Sequence, residues 1–170
     1  TDPAGSAVGP LLSLDEAIRL ANGTLSVDQL SAAARAQVKG NPGANSHDII
    51  QLPQGAVMTV PENVRISALV GNDGDTIEGN GALLISGKDE TGTLLTISSS
   101  DFTLRNFHAR GFLTTVTVDF GGRNLKNITL DRLRLTGAPF LSALLTIGAS
   151  TSNGSLHGIS VVDSVFDAGR

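Results

Sequence analysis

Phe102-Thr103-Leu104-Arg105-Asn106-Phe107-His108-Ala109-Arg110-Gly111 lies without gaps over Ile128-Thr129-Leu130-Asp131-Arg132-Leu133-Arg134-Leu135-Thr136-Gly137, apolar position on apolar position. A third copy, Ile159-Ser160-Val161-Val162-Asp163-Ser164-Val165-Phe166-Asp167-Ala168, keeps the pattern, with Ser164 weakening one inward place. Within each copy an apolar-x-apolar run is followed by two polar residues and a second apolar-x-apolar run. Side chains alternate across a strand, so Phe102 and Leu104 face one side and Thr103 the other, and the pair Arg105-Asn106 breaks the alternation as a tight bend. A further run precedes each copy: Leu95-Thr96-Ile97, Val116-Thr117-Val118 and Leu145-Thr146-Ile147, so every repeat carries at least two strands. Positions 104, 130 and 161 are equivalent, so successive copies are 26 and 31 residues apart. That is one coil of a parallel solenoid with loops of variable length. Two less regular coils are expected earlier, at 49–60 and 64–85.

The N-terminal residues have a different texture. Residues 1–12 are a small, featureless lead-in. Ser13-Leu14-Asp15-Glu16 is a capping box, followed by an apolar stripe at Leu14, Ala17, Ile18 and Ala21 and a stop at Asn22-Gly23. A second unit opens at Ser26-Val27-Asp28-Gln29 and predicts a helix through the alanine-rich 30–38. The expected organisation is therefore a lead-in and helical cap over 1–47 and parallel coils over 48–170.

Ser13-Leu14-Asp15-Glu16-Ala17-Ile18 with Ala21-Asn22, then Asn41-Pro42-Gly43-Ala44 and Asp48-Ile49-Ile50-Gln51-Leu52-Pro53-Gln54-Gly55, resembles the opening of many bacterial secreted or cell-surface proteins. In those proteins the segment caps a right-handed parallel β-helix of the pectin-lyase-like type, and the coils at 92–169 are similar to theirs. The resemblance implies an all-β fold: a right-handed parallel β-helix of about four or five coils with an N-terminal α-helical cap. It also implies a secreted or cell-surface location and places adhesin-like carbohydrate binding among the expected roles. Asp15 stands where arginine is usual, and Leu12 where some members carry cysteine.

Composition narrows the chemistry. The 170 residues are 40% hydrophobic but only 4% aromatic, with no Cys, Trp or Tyr, so the core is built from Ile, Val, Leu and Ala. No thiol nucleophile, disulfide staple or cysteine-ligated metal is available. No window approaches the roughly 18 apolar residues of a membrane-spanning helix, and the net charge of −4 argues against nucleic acid as a partner.

Against that acidic balance, residues 105–134 hold Arg105, Arg110, Arg123, Lys126, Arg132 and Arg134 and only Asp119 and Asp131. In the repeat frame His108 lies beside Arg134, and Arg105 beside Asp131. Arg105, His108, Arg110, Arg132 and Arg134 are the candidate ligand-binding patch, suited to a polyanion such as an acidic polysaccharide through several weak contacts. The alternative is a solvated face with cross-strand ion pairs. No catalytic residue is assigned, because Asp119, Asp131, Asp163 and Asp167 fall at different repeat positions and no aromatic ring is present to stack on a sugar. Gly71-Asn72-Asp73-Gly74-Asp75 looks like part of a calcium-binding nonapeptide, which makes Asp73 and Asp75 the candidate metal ligands and calcium the candidate ion, against an ordinary loop leading into a strand. Thr96, Thr117 and Thr146 should form an outward ladder.

Two functions follow from these readings. One is a non-enzymatic scaffold, presenting its outer faces to another surface protein or an acidic polysaccharide. The other is the N-terminal part of a polysaccharide lyase, hydrolase or epimerase with catalytic coils beyond residue 170. The last coil lacks a cap, so a second chain, further solenoid or end-to-end self-association is expected there.

Overall fold

A computed structural model describes residues 11–44, 46–60, 69–70, 74–87, 93–137, 143–148 and 153–167. The first helix, α1 (Leu14–Ala21), forms as its cap dictates. The Ser13 hydroxyl accepts from the Glu16 N–H at 3.2 Å while the Glu16 carboxylate accepts from the Ser13 N–H at 2.8 Å. Ile18 and Ala21 on its inner face join the main core.

The expected second helix is broken. A 3₁₀ turn at Val27–Gln29 is separated from a short α2 (Ala32–Arg35) by Leu30, whose backbone is extended. Leu30 packs with Leu20, Leu25 and Ala34 in a small core of the cap, and Ser31 starts the helix afresh by accepting from the Ala34 N–H at 3.1 Å. Burial of one leucine, worth about 1.5–3 kcal/mol, outweighs the few tenths per residue that a continuous helix would add.

The strands wind through three parallel sheets. Sheet A stacks β1 (Ile49–Gln51), β4 (Thr76–Glu78), β7 (Thr103–Arg105), β10 (Asn124–Asp131) and β13 (Ser155–Val162). Sheet B stacks β2 (Val57–Val60), β5 (Leu83–Ser86), β8 (His108–Phe112), β11 (Arg134–Gly137) and β14 (Val165–Asp167). Sheet C stacks β3 (Leu69–Val70), β6 (Thr93–Ser98), β9 (Thr114–Asp119) and β12 (Ala143–Gly148). Each coil passes through A and then B, and the first four continue through C. Every pairing is parallel, which makes the protein a β-solenoid.

The register is the one that the repeat copies predict up to Thr136, after which a bulge sets Gly137 against Phe112 instead of Gly111. Leu104 pairs with Leu130 and Leu130 with Val161; His108 pairs with Arg134 and Arg105 with Asp131. Inward files of like residues run down the stack: Ile50, Ile77, Leu104 and Leu130 in sheet A, and Leu84, Ala109 and Leu135 in sheet B. All seven are buried. The Thr96–Thr117–Thr146 ladder is also in register, on sheet C. Ser164, where the third copy departs from the pattern, accepts from the Leu133 N–H at 3.1 Å and donates to the Val162 carbonyl at 2.8 Å. Its hydroxyl thus ties the bend of one coil to the next. Among the described residues no helix is long and apolar enough to cross a membrane.

The bends between sheets A and B all use the left-handed region. Asn80, Asn106, Arg132 and Asp163 have φ between 47° and 51°. Asn and Asp visit this region because their short polar side chains bond locally, and the asparagines here reach one coil back: Asn80 Nδ2 donates to the Leu52 carbonyl at 2.9 Å and Asn106 Nδ2 to Glu78 Oε1 at 2.8 Å. Gly79 makes room for this packing, since a Cβ there would stand 2.2 Å from the Asn106 carbonyl oxygen.

Candidate functional site

The solenoid divides the five residues of the candidate patch between two faces. Outward positions on sheet A form one file, Gln51–Glu78–Arg105–Asp131–Val162, with neighbouring coils about 4.8 Å apart. Arg105 Nε donates to Glu78 Oε2, and the Arg132 guanidinium at the following bend lies 2.8 Å from Asp131 Oδ2. Burial pushes the Glu78 carboxyl up, but bonds from Asn106, the Asn80 N–H and Arg105, with the Arg105 charge, outweigh it and hold the group below its ordinary value. Glu78 is therefore an ionised acceptor at neutral pH, poorly suited to act as a general acid. Arg105 and Arg132, two members of the candidate patch, are engaged by carboxylates of the chain itself.

Sheet B carries the other three. Its outer face has two files: Val57–Leu83–His108–Arg134–Val165 and Thr59–Ile85–Arg110–Thr136–Asp167. Arg110 and Arg134 are exposed, and neither guanidinium bonds to another described residue. His108 is half-buried between Leu83 and Arg134; burial and then the Arg134 charge push its pKa below the ordinary histidine value. Two of these cations are thus permanently charged and the third gains charge only in acid.

A third charged cluster sits at the entry to sheet A. Asp101 accepts from Asn127 Nδ2 at 2.7 Å and lies 3.6 Å from Lys126 Nζ, and the Asn127 bond is the main reason its carboxyl is held low. Arg123 donates to the Ser98 carbonyl at 3.0 Å, away from the sheet B face.

The two candidate metal ligands part company. Asp73 lies outside the described residues. Asp75 is buried, with Oδ1 accepting from the Asp48 N–H at 2.8 Å, so it joins the first two coils of sheet A. Among the described residues no group of three acidic or histidine side chains is placed to hold a metal ion.

Two features of these faces are not apparent from the repeat alignment. Glu78 belongs to a coil whose bend, residues 79–82, is longer than the 106–107 bend of the next coil, so no gapless alignment running through both strands brings Glu78 beside Arg105 and Leu83 beside His108 together. Leu83 and Ile85, on the coil preceding His108 and Arg110, read as ordinary strand residues until the register turns them outward. No family model, curated protein or solved structure matches the chain.

Proposed function

We propose that the protein is a non-enzymatic secreted or surface scaffold whose rigid coils present the outer face of sheet B to an anionic partner. The observation that carries this reading is the cationic group on that face: Arg110 and Arg134, exposed and without a bonded carboxylate among the described residues, with His108 directly beside Arg134. Unpaired cations on a flat face gain most from a ligand that brings its own negative charge, and several such contacts add along a chain. Arg105 and Arg132 are secondary contributors, since a ligand must compete with Glu78 and Asp131 for them. The same reading takes the solenoid as right-handed and pectin-lyase-like, with the segment before β1 as its cap, in keeping with the Ser13–Ile18 motif and the handedness of parallel crossovers.

The test is titration of the protein with polygalacturonate and polyglutamate at two salt concentrations, while the length of the polymer is followed. Binding that weakens with salt, disappears in an R110E/R134E variant and leaves the polymer intact is expected. Shortening of the polymer, or binding untouched by the variant, overturns the proposal.

A further inference from the structure

From coil 1 to coil 4 the proposed ligand-binding face on sheet B has two chemically different halves, followed on coil 5 by Val165 and Asp167. Coils 3 and 4 bring the cations: His108, Arg110 and Arg134. Coils 1 and 2 bring aliphatic side chains to the same two files: Val57, which is 68% exposed, and the partly exposed Leu83 and Ile85. Sheet A offers the contrast. The contrast lies at coil 2, where Thr76 and Glu78 hold the outward places that Leu83 and Ile85 hold on sheet B, and coils 3 and 4 of sheet A stay polar with Thr103, Arg105, Thr129 and Asp131, although Ile49 on coil 1 is 64% exposed. Aliphatic side chains on the solvent side of a sheet keep water on apolar surface, and here they adjoin cations that bond no carboxylate among the described residues.

We infer that the partner of this face is an acidic polypeptide segment that carries aliphatic side chains beside its carboxylates, lying along the solenoid axis with its apolar end on Val57, Leu83 and Ile85 and its acidic end on His108, Arg110 and Arg134. The inference rests on the anion-binding reading above and narrows its ligand class. A uronate polymer is charged at every sugar and supplies nothing to cover the aliphatic half. A peptide supplies both chemistries within reach: the four coils span about 14 Å between their outermost strands, the length of roughly four extended residues.

Three fluorescent probes of equal charge separate the possibilities: a peptide with a Leu/Val block followed by a Glu block, a peptide with Ser in place of Leu/Val, and an oligogalacturonate. The aliphatic-acidic peptide is expected to bind about tenfold tighter than the other two, the advantage available from covering two or three partly exposed aliphatic side chains. L83T/I85T, which leaves Val57 in place, should remove most of that advantage and leave Ser-Glu peptide binding unchanged. Threonine already occupies the file of Ile85 at Thr59 and Thr136 and is a good strand former at either place, so the variant is compatible with the strands, and an unchanged thermal midpoint confirms it. Equal affinity for the three probes leaves the anion-binding reading standing and overturns this inference. Absence of binding to all three overturns both. A concentration-dependent rise in mass that L83T/I85T removes overturns the inference in favour of a second copy of the chain as the occupant.

Discussion

Arg105 reaches one coil back to bond the carboxylate of Glu78, a buried acceptor that also holds Asn106 Nδ2 and the Asn80 N–H. Asp131 lies beside Arg105 on the following coil and engages Arg132. Charge therefore alternates along the outer file of sheet A, and a slip of one coil would set like charges together. The file is a register device as much as a surface feature.

Replacing Glu78 by glutamine should cost about 1–3 kcal/mol at pH 7, because a buried acceptor of charge-assisted bonds is lost. The carboxyl of the folded protein titrates below the ordinary value of 4.5, so its stabilisation is present above that value and is lost as pH falls through the folded one. The gap in unfolding free energy between wild type and E78Q should thus narrow from pH 7 to pH 3. A constant gap would show that the effect is not electrostatic. Arg105→Glu belongs to the same argument: it sets a third carboxylate between Glu78 and Asp131 and should destabilise, whereas Arg134→Glu should not.

At the next bend the balance runs the other way. Arg132 holds φ 51° in a series otherwise made of Asn80, Asn106 and Asp163. Its pairing with Asp131 is exposed and screened by solvent, while a long side chain in the left-handed region gives up about 1–2 kcal/mol that asparagine largely recovers through local bonds. Arg132→Asn is expected to stabilise the protein slightly, by about 0.5–1 kcal/mol in chemical denaturation. A loss of stability would mean that the Asp131 pair outweighs the backbone term.

The Leu104–Leu130–Val161 file tests the stack itself. Leu130 is fully buried between Leu104 and the following coil, so Leu130→Asp leaves an unpaired charge in the core and should prevent folding. A soluble variant with unchanged β-type circular dichroism would refute the register. Leu130→Val, which keeps the apolar file, should cost only about 1 kcal/mol.

How far the sequence reveals this molecule follows from the range of each signal. The copies at 102–111 and 128–137 share bend length and alternation, so their pairing, down to His108 against Arg134, is legible without a structure. The break at Leu30 is not, because the local pattern through 26–38 is helical and only the distant Leu20 and Leu25 give Leu30 a better place. Glu78 escapes for a related reason: the longer bend at 79–82 hides its coil from the repeat. The charge cluster at 105–134 is visible as composition, but its division between sheet A, where Glu78 and Asp131 engage it, and sheet B, where it stands open, depends on which strand face each residue takes. Leu83 and Ile85 gain meaning only through that same division.

His108 sets the pH response of the open face. It is faced by Leu83 on β5 and Arg134 on β11, with Arg110 two residues along its own strand, so no described neighbour across these strands favours its charged form. In the free protein its pKa lies below the ordinary 6.5. Its protonation therefore opposes folding: the effect is absent above 6.5 and grows as pH falls toward the folded value, as the unfolded chain takes up the proton first. An anion on Arg134 reverses the sign locally by supplying the missing countercharge and raising the His108 pKa, so binding takes up a proton. Affinity for polyglutamate should then increase between pH 7 and pH 5.5, a window in which its carboxylates stay largely ionised, and the increase should be much smaller in H108A. A pH-independent affinity in the wild type would place the anion away from His108, on Arg110 or on the sheet A file.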